Sequence, residues 1–196
     1  SVIKDIQVLA FEPEASNFYI LNKNIRLNHC QDLVTAFHIA IGTQHRFTKL
    51  FLAKELDGWA CNSVGENIDP YLKPRKNSIE QGSICFGVDE IAAKLSSVPA
   101  HIKVDIDGLE LEVIKSALQT IQSKQVKSVL IELNQNIDEH LQAIQIMQEN
   151  GFSFHPQMAE QTKIKSGHFV DMNNYIFHRD PEALEKIYDE FKRATR

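Results

Sequence analysis

Short apolar runs alternate along the chain with stretches in which apolar residues recur every three or four positions. The clearest runs are Val8–Phe11, Leu33–Ile41, Ile102–Ile106 and Val126–Leu133. Runs of this length are typical of buried β-strands, and the three-to-four spacing is that of one helix face. Strands that alternate with helices form a parallel or mostly parallel sheet with helices on both faces. The pattern therefore predicts an α/β fold.

Two further pairs of segments favour antiparallel strands. Phe47–Ala53 and Trp59–Val64 flank Asp57-Gly58, a dipeptide typical of hairpin turns. Phe152–His155 and Tyr175–His178 are predicted to form a closing antiparallel hairpin at the end of the sheet.

The domain organisation is simple. We expect an α/β domain over residues 1–179 and a helix over residues 180–196 that packs on it. The helix is expected to begin with Asp180 as its N-cap and Pro181 at its first position. Asn150-Gly151 is expected to end an earlier helix as a left-handed C-cap. Asn62–Gly82 is polar and contains two prolines, so it is interpreted as a long surface excursion.

Composition and charge restrict the function classes. The chain has 196 residues, 43% of them hydrophobic, with a net charge of −5. This acidic balance disfavours nucleic acid as a partner, because phosphate binding needs clustered Lys and Arg. Three cysteines without a CxxC pair indicate free thiols in a reducing compartment, so we expect a cytoplasmic protein. No membrane segment is predicted. A homodimer contact through the terminal amphipathic helix stays open.

Acidic residues stand at or near the ends of three predicted strands. They are Glu12, Asp105 and Glu132. In open α/β sheets, ligands bind outside the carboxyl ends of the strands. Pro13 forces Glu12 towards an extended conformation, and an acid there can accept both hydroxyls of a nucleoside ribose. The alternative of equal weight is that Glu12 caps the following helix or is solvated.

The segment Asp105–Glu110 places three carboxylates at a strand-to-helix turn, where Gly108 permits a tight bend. Acids in a first helical turn complement the helix dipole, which accounts for Asp107 and Glu110 but not for Asp105. Crowding is expected to raise the pKa of at least one of them.

Two established motifs are compared with this segment. A calcium EF-hand loop is excluded, because its sixth position must be glycine and is Glu110 here. A haloacid-dehalogenase-type phosphohydrolase, with Asp105 and Asp107 as its acids, remains an alternative. That pattern usually continues with Thr or Val where Leu109 stands, and no matching acidic pair follows downstream.

Two blocks of sequence carry a family resemblance. Val8–Pro13 and Ile102–Glu110 are the main ones, with weaker agreement at Ala40–Gly42, Val88–Ile91 and Asn174–Phe177. In this order and spacing they resemble the FkbM-type family of S-adenosylmethionine-dependent methyltransferases. The resemblance implies a Rossmann-like class I methyltransferase fold with a mostly parallel sheet. It also implies methyl transfer to an oxygen of a small molecule, such as a sugar hydroxyl.

The resemblance further implies roles for residues of the cofactor site. Glu12, followed by Pro13, would bind the ribose of S-adenosylmethionine, and Ile41 with Gly42 would edge its adenine. Asp105 would face the methionine end of the cofactor or the acceptor.

A hydroxyl acceptor also needs a base that removes its proton. Asp105 is the first candidate for this catalytic role and Glu132 the second. No metal site is predicted. A non-catalytic Rossmann-like binding domain is the third interpretation.

The family's glycine-rich cofactor loop follows a strand that should precede Val8, and residues 1–7 are too few for both. We therefore expect a domain that is incomplete at its N-terminus. The absent strand would lie between the strands that end at Glu12 and Asp105, and this chain alone is expected to bind the cofactor poorly.

Overall fold

The computed structural model describes residues 6–54, 56, 58–167 and 169–194 of the chain. They fall into two units, an N-terminal unit (Ser1–Gly87) and a C-terminal unit (Val88–Arg196). The prediction of one domain over residues 1–179 with an added helix stays a prediction.

The N-terminal unit contains one helix and two small sheets. Its elements are β1 (Val8–Phe11), α1 (Ala15–Leu27), β2 (Val34–Phe37), β3 (Ala40–Ile41), β4 (Arg46–Leu52), β5 (Ser63–Val64) and β6 (Ile79–Phe86). β1 and β2 are parallel and form a two-stranded sheet. The second sheet has the order β3-β6-β4-β5, in which only the β3–β6 pair is parallel.

The C-terminal unit is built around a three-stranded sheet. Its elements are α2 (Val88–Lys94), β7 (His101–Val104), α3 (Glu110–Ser116), α4 (Leu118–Gln122), β8 (Ser128–Leu133), α5 (Asp138–Glu149), α6 (Pro156–Gln161), β9 (Asn173–His178) and α7 (Pro181–Ala194). The strand order is β7-β8-β9, with β7 parallel and β9 antiparallel to β8.

The α/β class is confirmed, but the prediction of a mostly parallel sheet is wrong. The sheets are mixed, because β6 and β9 both run antiparallel to a neighbour. The chain reaches β9 beside the last residue of β8, where Asn173 pairs with Leu133, so β9 must run in the opposite direction. The Rossmann-like detail of the fold is therefore not established by the strand pairing.

The largest buried side chains of the C-terminal sheet share one of its faces, while a second cluster of Met158, Leu184 and Tyr188 packs against Ile176 of β9. Ile131 and Leu133 alternate along β8 and are fully buried, as are Tyr175 and Phe177 on β9. The register places Ile131 opposite Tyr175, so these side chains share that face. Burial of each such side chain stabilises the fold by about 1.5–3 kcal/mol.

Local signals at helix ends are confirmed. Gly151 has a φ of 82° after α5, the left-handed conformation that ends a helix. The Asp180 carboxylate accepts hydrogen bonds from the backbone N–H groups of Glu182 and Ala183 at 2.9 and 3.4 Å. Asp180 therefore caps α7, whose residue Leu184 packs against Met158 of α6.

Four predicted elements differ in extent from those of the structure. Leu33–Ile41 is split into β2 and β3, and the helix after Asp105 is split at Ala117 into α3 and α4. The excursion Asn62–Gly82 contains β5 and half of β6. The predicted hairpin is confirmed as the antiparallel pair β4–β5, but its second strand is Ser63–Val64 instead of Trp59–Val64. Asp57 lies outside the described residues.

The closing hairpin was predicted with a wrong partner strand. Phe152–His155 forms only one bridge, between Ser153 and His178. Pro156, which lacks a backbone N–H, ends the extended segment and begins α6. The antiparallel partner of β9 is β8 instead.

No helix in the described part of the chain has the length and hydrophobicity needed to cross a membrane.

Candidate functional site

Glu12 directly follows β1 and takes part in the turn into α1. Its backbone N–H donates to the Phe37 carbonyl at 3.1 Å, and its Oε1 accepts from the Glu14 N–H at 2.8 Å. Oε2 accepts no hydrogen bond from the described residues. The helix cap itself is Glu14, whose carboxylate accepts from the N–H groups of Ser16 and Asn17 at 2.9 and 2.6 Å. The alternative prediction, that Glu12 caps the following helix, is therefore wrong, because Glu14 is the N-cap of α1.

The Pro13 carbonyl fixes the same turn to neighbouring strands. It accepts from Gln81 Nε2 at 2.7 Å and lies 3.1 Å from His38 Nε2. Gln81 Oε1 in turn accepts from the Ala15 N–H at 3.1 Å. Sequence analysis missed Gln81 because it placed this residue in a loop, whereas it lies within β6.

Partial burial raises the pKa of Glu12, and the nearby Glu14 charge raises it further. The hydrogen bond from the Glu14 N–H and the adjacent His38 act in the opposite direction. A half-buried carboxylate with one open oxygen is a suitable acceptor for ligand hydroxyls, because bonds made there face little competition from water.

Ile41 and Gly42 lie at the end of β3 beside β6. The Gly42 N–H donates to the Phe86 carbonyl at 3.0 Å. A Cβ at residue 42 would come within 2.6 Å of the Cys85 sulfur. A side chain at residue 42 would therefore have to displace Cys85. The His45 ring stacks on Phe86, with ring centroids 4.4 Å apart.

Asp105 follows β7 and begins a turn with unusual backbone angles. Its carboxylate pairs with Lys103 at 2.7 Å, and both side chains are more than half exposed. Asp107 and Gly108 have positive φ values of 57° and 124°. The Gly108 N–H donates to Glu110 Oε1 at 3.0 Å. The Asp105 side chain is therefore exposed, whereas the buried Glu110 carboxylate stabilises the turn through its hydrogen bond with Gly108.

Glu132 lies in β8, and its electrostatic surroundings include the same turn. Partial burial raises its pKa, as do the charges of Asp105, Asp107 and Glu110, while Lys103 lowers it. The structure therefore brings the two predicted catalytic acids, Asp105 and Glu132, into one acidic group at the end of the β7–β8 pair. A carboxylate with a raised pKa is a better proton acceptor at neutral pH.

A buried pair behind this turn was missed by sequence analysis. His140 of α5 and Glu110 of α3 are 1% and 3% exposed, and His140 Nε2 lies 3.2 Å from Glu110 Oε2. The Asn134 N–H donates to His140 Nδ1 at 2.8 Å. The signal was present in the sequence, because His140 shares the helical spacing of the apolar residues Ile144 and Met147.

The predicted residues thus form two sets, one in each unit. Glu12, Pro13, Ile41 and Gly42 lie in the N-terminal unit, and Asp105 with Glu132 lies in the C-terminal unit. Along the described residues, β1 pairs only with β2 and β7 only with β8. The roles implied for these residues stay predictions. The described residues hold no cluster of three or more His, Cys, Asp or Glu arranged for a metal ion.

Comparison with known proteins bears on this arrangement. The chain is similar to the crystal structure of the methyltransferase FkbM from Methylobacillus flagellatus KT, with a TM-score of 0.53 at 13% sequence identity. The match covers 88% of this chain and 36% of that chain, so it shows a shared fold over part of a longer protein. No curated protein sequence matches.

A family model described as the methyltransferase FkbM domain matches residues 4–154. This range includes β1 with Glu12, the turn after β7 and the whole of β8. Because the match covers most of the chain, the protein belongs to the FkbM methyltransferase domain family.

Proposed function

We propose that the chain is part of an S-adenosylmethionine-dependent methyltransferase that transfers a methyl group to a hydroxyl oxygen of a small molecule. The family match supports the reaction class. The observation that carries the cofactor assignment is Glu12, a half-buried carboxylate at the end of β1 with one oxygen open to a ligand.

The residues at this position fit a nucleoside. Glu12 Oε2 can accept hydrogen bonds from ribose hydroxyls, and Oε1 is already fixed by the Glu14 N–H at 2.8 Å. The Pro13 carbonyl is held by Gln81 at 2.7 Å, so the turn that carries the carboxylate is ordered before a ligand binds. Ile41 and Gly42 would supply a small apolar edge for the adenine.

The cofactor, when bound, supplies an electrophilic methyl group on a sulfonium. Methyl transfer forms a carbon–oxygen bond and breaks a carbon–sulfur bond, and the acceptor hydroxyl loses its proton. Asp105 is the proposed base and Glu132 the second choice, since either carboxylate can take that proton. The other task of the residues is to align the acceptor oxygen with the methyl group, because proximity supplies much of the rate.

Calorimetric binding of S-adenosylmethionine to the full-length protein tests the proposal. Glu12→Ala should weaken binding by about 1.5–3 kcal/mol, the range for hydrogen bonds to a charged group. Glu80→Ala is the matched control, because Glu80 lies in the same unit but pairs with Lys49 on the surface. Equal affinity of the Glu12→Ala and Glu80→Ala proteins would remove Glu12 from the site.

The phosphohydrolase interpretation is not favoured, since the matched family is a methyltransferase family. It would require magnesium-dependent phosphate release that is lost in both Asp105→Asn and Asp107→Asn. A non-catalytic binding domain would bind the cofactor and transfer no methyl group to any hydroxyl compound.

A further inference from the structure

A cavity of about 410 Å³ opens in the C-terminal unit where β8 ends and β9 begins. The cavity is lined by the loop Asn134–Asn136, by residues of α6, and by Asn173 and Tyr175 of β9. Its volume falls within the range of small-molecule sites, about 300–1,000 Å³. It lies outside the acidic group of Asp105 and Glu132, although the loop that lines it begins two residues after Glu132.

Carboxamides dominate the lining of this cavity. Five of the lining side chains are amides: Asn134, Gln135, Asn136, Gln157 and Asn173. An amide carries two donor hydrogens and an acceptor oxygen without a charge. Part of this capacity is used within the protein, as in the bond from Asn136 Nδ2 to Asp171 at 3.3 Å, and the rest is open to a ligand. A hydroxyl is also both donor and acceptor, so a row of amides is chemically matched to a ligand with several hydroxyls.

Several of these groups are held in place before any ligand binds. Asn134 Oδ1 accepts from the Asn136 N–H at 2.9 Å, and Asn173 Nδ2 donates to the Ala159 carbonyl at 3.0 Å. The Tyr188 hydroxyl donates to Gln157 Oε1 at 2.8 Å, which leaves the Gln157 amide hydrogens for a ligand. Such preorganisation lowers the entropic cost of binding.

The charges around the cavity disfavour an anion. The Lys163 ammonium is paired with Asp171 at 3.1 Å, so its charge is compensated. Glu160 is the remaining charged residue of the lining, which leaves the cavity with an excess of negative charge. The ring of Phe154 also lines it and offers an apolar surface for C–H groups. A phosphorylated or carboxylated ligand would be repelled, whereas a neutral one would not.

We infer that this amide-lined cavity binds a neutral polyhydroxylated ligand, namely a sugar unit of the methyl acceptor. The inference rests on the proposed function for the ligand's role as acceptor. Binding itself needs no methyl donor, so it can be measured separately.

Saturation-transfer NMR and calorimetry on the full-length protein, without S-adenosylmethionine, test the inference. The probes are neutral methyl glycosides of glucose, galactose and mannose, with glucose 6-phosphate and glucuronate as anionic counterparts. We expect saturable binding of at least one neutral glycoside and weaker binding of both anionic sugars. Absence of binding by all three glycosides, or tighter binding of an anionic sugar, would overturn the inference.

Variants locate the binding in the cavity. Asn136→Leu and Gln157→Leu each remove amide groups from the lining and should weaken glycoside binding about tenfold. Gln161→Leu is the matched control, because Gln161 is exposed on α6 but does not line the cavity. Circular dichroism melting identifies any variant that is unfolded. Glycoside binding that is equal in the folded lining variants and the control would contradict the site.

The two proposals fail in different ways. If S-adenosylmethionine binds and is weakened by Glu12→Ala while no glycoside binds, the acceptor inference is wrong and the methyltransferase proposal stands. If glycosides bind at the cavity while S-adenosylmethionine does not bind at all, the methyltransferase proposal is wrong, and glycoside binding stands without the acceptor role.

Discussion

His140 Nε2 lies 3.2 Å from Glu110 Oε2, and both side chains are almost completely buried. Because His140 Nδ1 accepts the Asn134 N–H, the imidazole hydrogen resides on Nε2, which lies beside Glu110 Oε2 without the geometry of a hydrogen bond. Glu110 Oε1 accepts the Gly108 N–H at 3.0 Å. The pair therefore links the turn after β7 to the loop after β8. The turn contains the proposed base Asp105, and the loop lines the amide-lined cavity.

Removal of either partner should be costly. His140→Leu leaves Glu110 Oε2 without its imidazole neighbour and the Asn134 N–H without its acceptor. Glu110→Leu leaves His140 Nε2 without the carboxylate beside it and the Gly108 N–H without its acceptor. Each is expected to lower the free energy of unfolding by about 2–5 kcal/mol in urea titrations. Glu112→Gln on the same helix is the control, since Glu112 pairs with Lys115 on the surface at 3.2 Å and should change little.

The double variant distinguishes a direct interaction from two separate effects. Glu110→Leu with His140→Leu should cost less than the two single losses added together, with a coupling energy of about 1–3 kcal/mol. Strict additivity would mean that the two side chains stabilise the unit independently of each other.

Glu132 makes stability depend on pH. Its pKa is raised by burial and then by Asp105, Asp107 and Glu110, so the folded state holds the proton to higher pH than the unfolded state. The contribution of Glu132 to stability is present below its unfolded pKa and is lost as the pH rises through the folded one. Glutamine does not titrate, so the stability of Glu132→Gln relative to the unaltered protein should be greater at pH 7 than at pH 4. Thermal melting across this range measures the difference, and a gain that is the same at both pH values would contradict the shift.

The sequence predicted local features better than strand partners. The Asp180 cap and the Gly151 terminus depend on adjacent backbone groups, so they were visible in the sequence. The antiparallel placement of β9 beside β8 depends on contacts between residues that are 40 to 50 positions apart, from Leu133 with Asn173 to Ser128 with His178, and periodicity does not encode such contacts. β6 was missed because its polar face, which includes Gln81, resembles a loop.

Some residues of the candidate site could also be predicted from the sequence, and others could not. Acids at strand ends, Glu12 and Asp105, could be identified from the chain alone. The Glu110–His140 pair joins two helices that are distant in sequence, and the amide cavity combines three separate segments. Only the folded structure brings those groups together.

Gly42 tests whether packing or ligand contact requires glycine at the end of β3. Gly42→Ala would place a methyl group 2.6 Å from the buried Cys85 sulfur, and overpacking of this kind costs about 1–3 kcal/mol. Urea denaturation should show this loss, and Cys85→Ala in the same chain should recover part of it. If Gly42→Ala leaves stability unchanged but weakens S-adenosylmethionine binding, the role of Gly42 lies in ligand contact alone.

Arg179 holds the end of the C-terminal sheet together through backbone carbonyls. Its Nε donates to the Val126 carbonyl at 2.9 Å, its Nη1 to that of Asn150 at 2.7 Å, and its Nη2 to that of Ile121. The guanidinium also lies 4.1 Å from the centre of the Phe152 ring. A planar fork of donors is needed to reach three separate carbonyls, and a lysine ammonium cannot reproduce it.

Arg179→Lys is therefore expected to lower the free energy of unfolding by about 2–4 kcal/mol, although the charge is kept, because several carbonyls lose their donor. Urea denaturation at pH 7 measures this loss. Arg193→Lys is the matched control, since Arg193 is exposed in the last turn of α7 and should change stability by less than about 0.5 kcal/mol. Similar stability of the two variants would mean that charge near Phe152, rather than the fork of donors, is what Arg179 contributes.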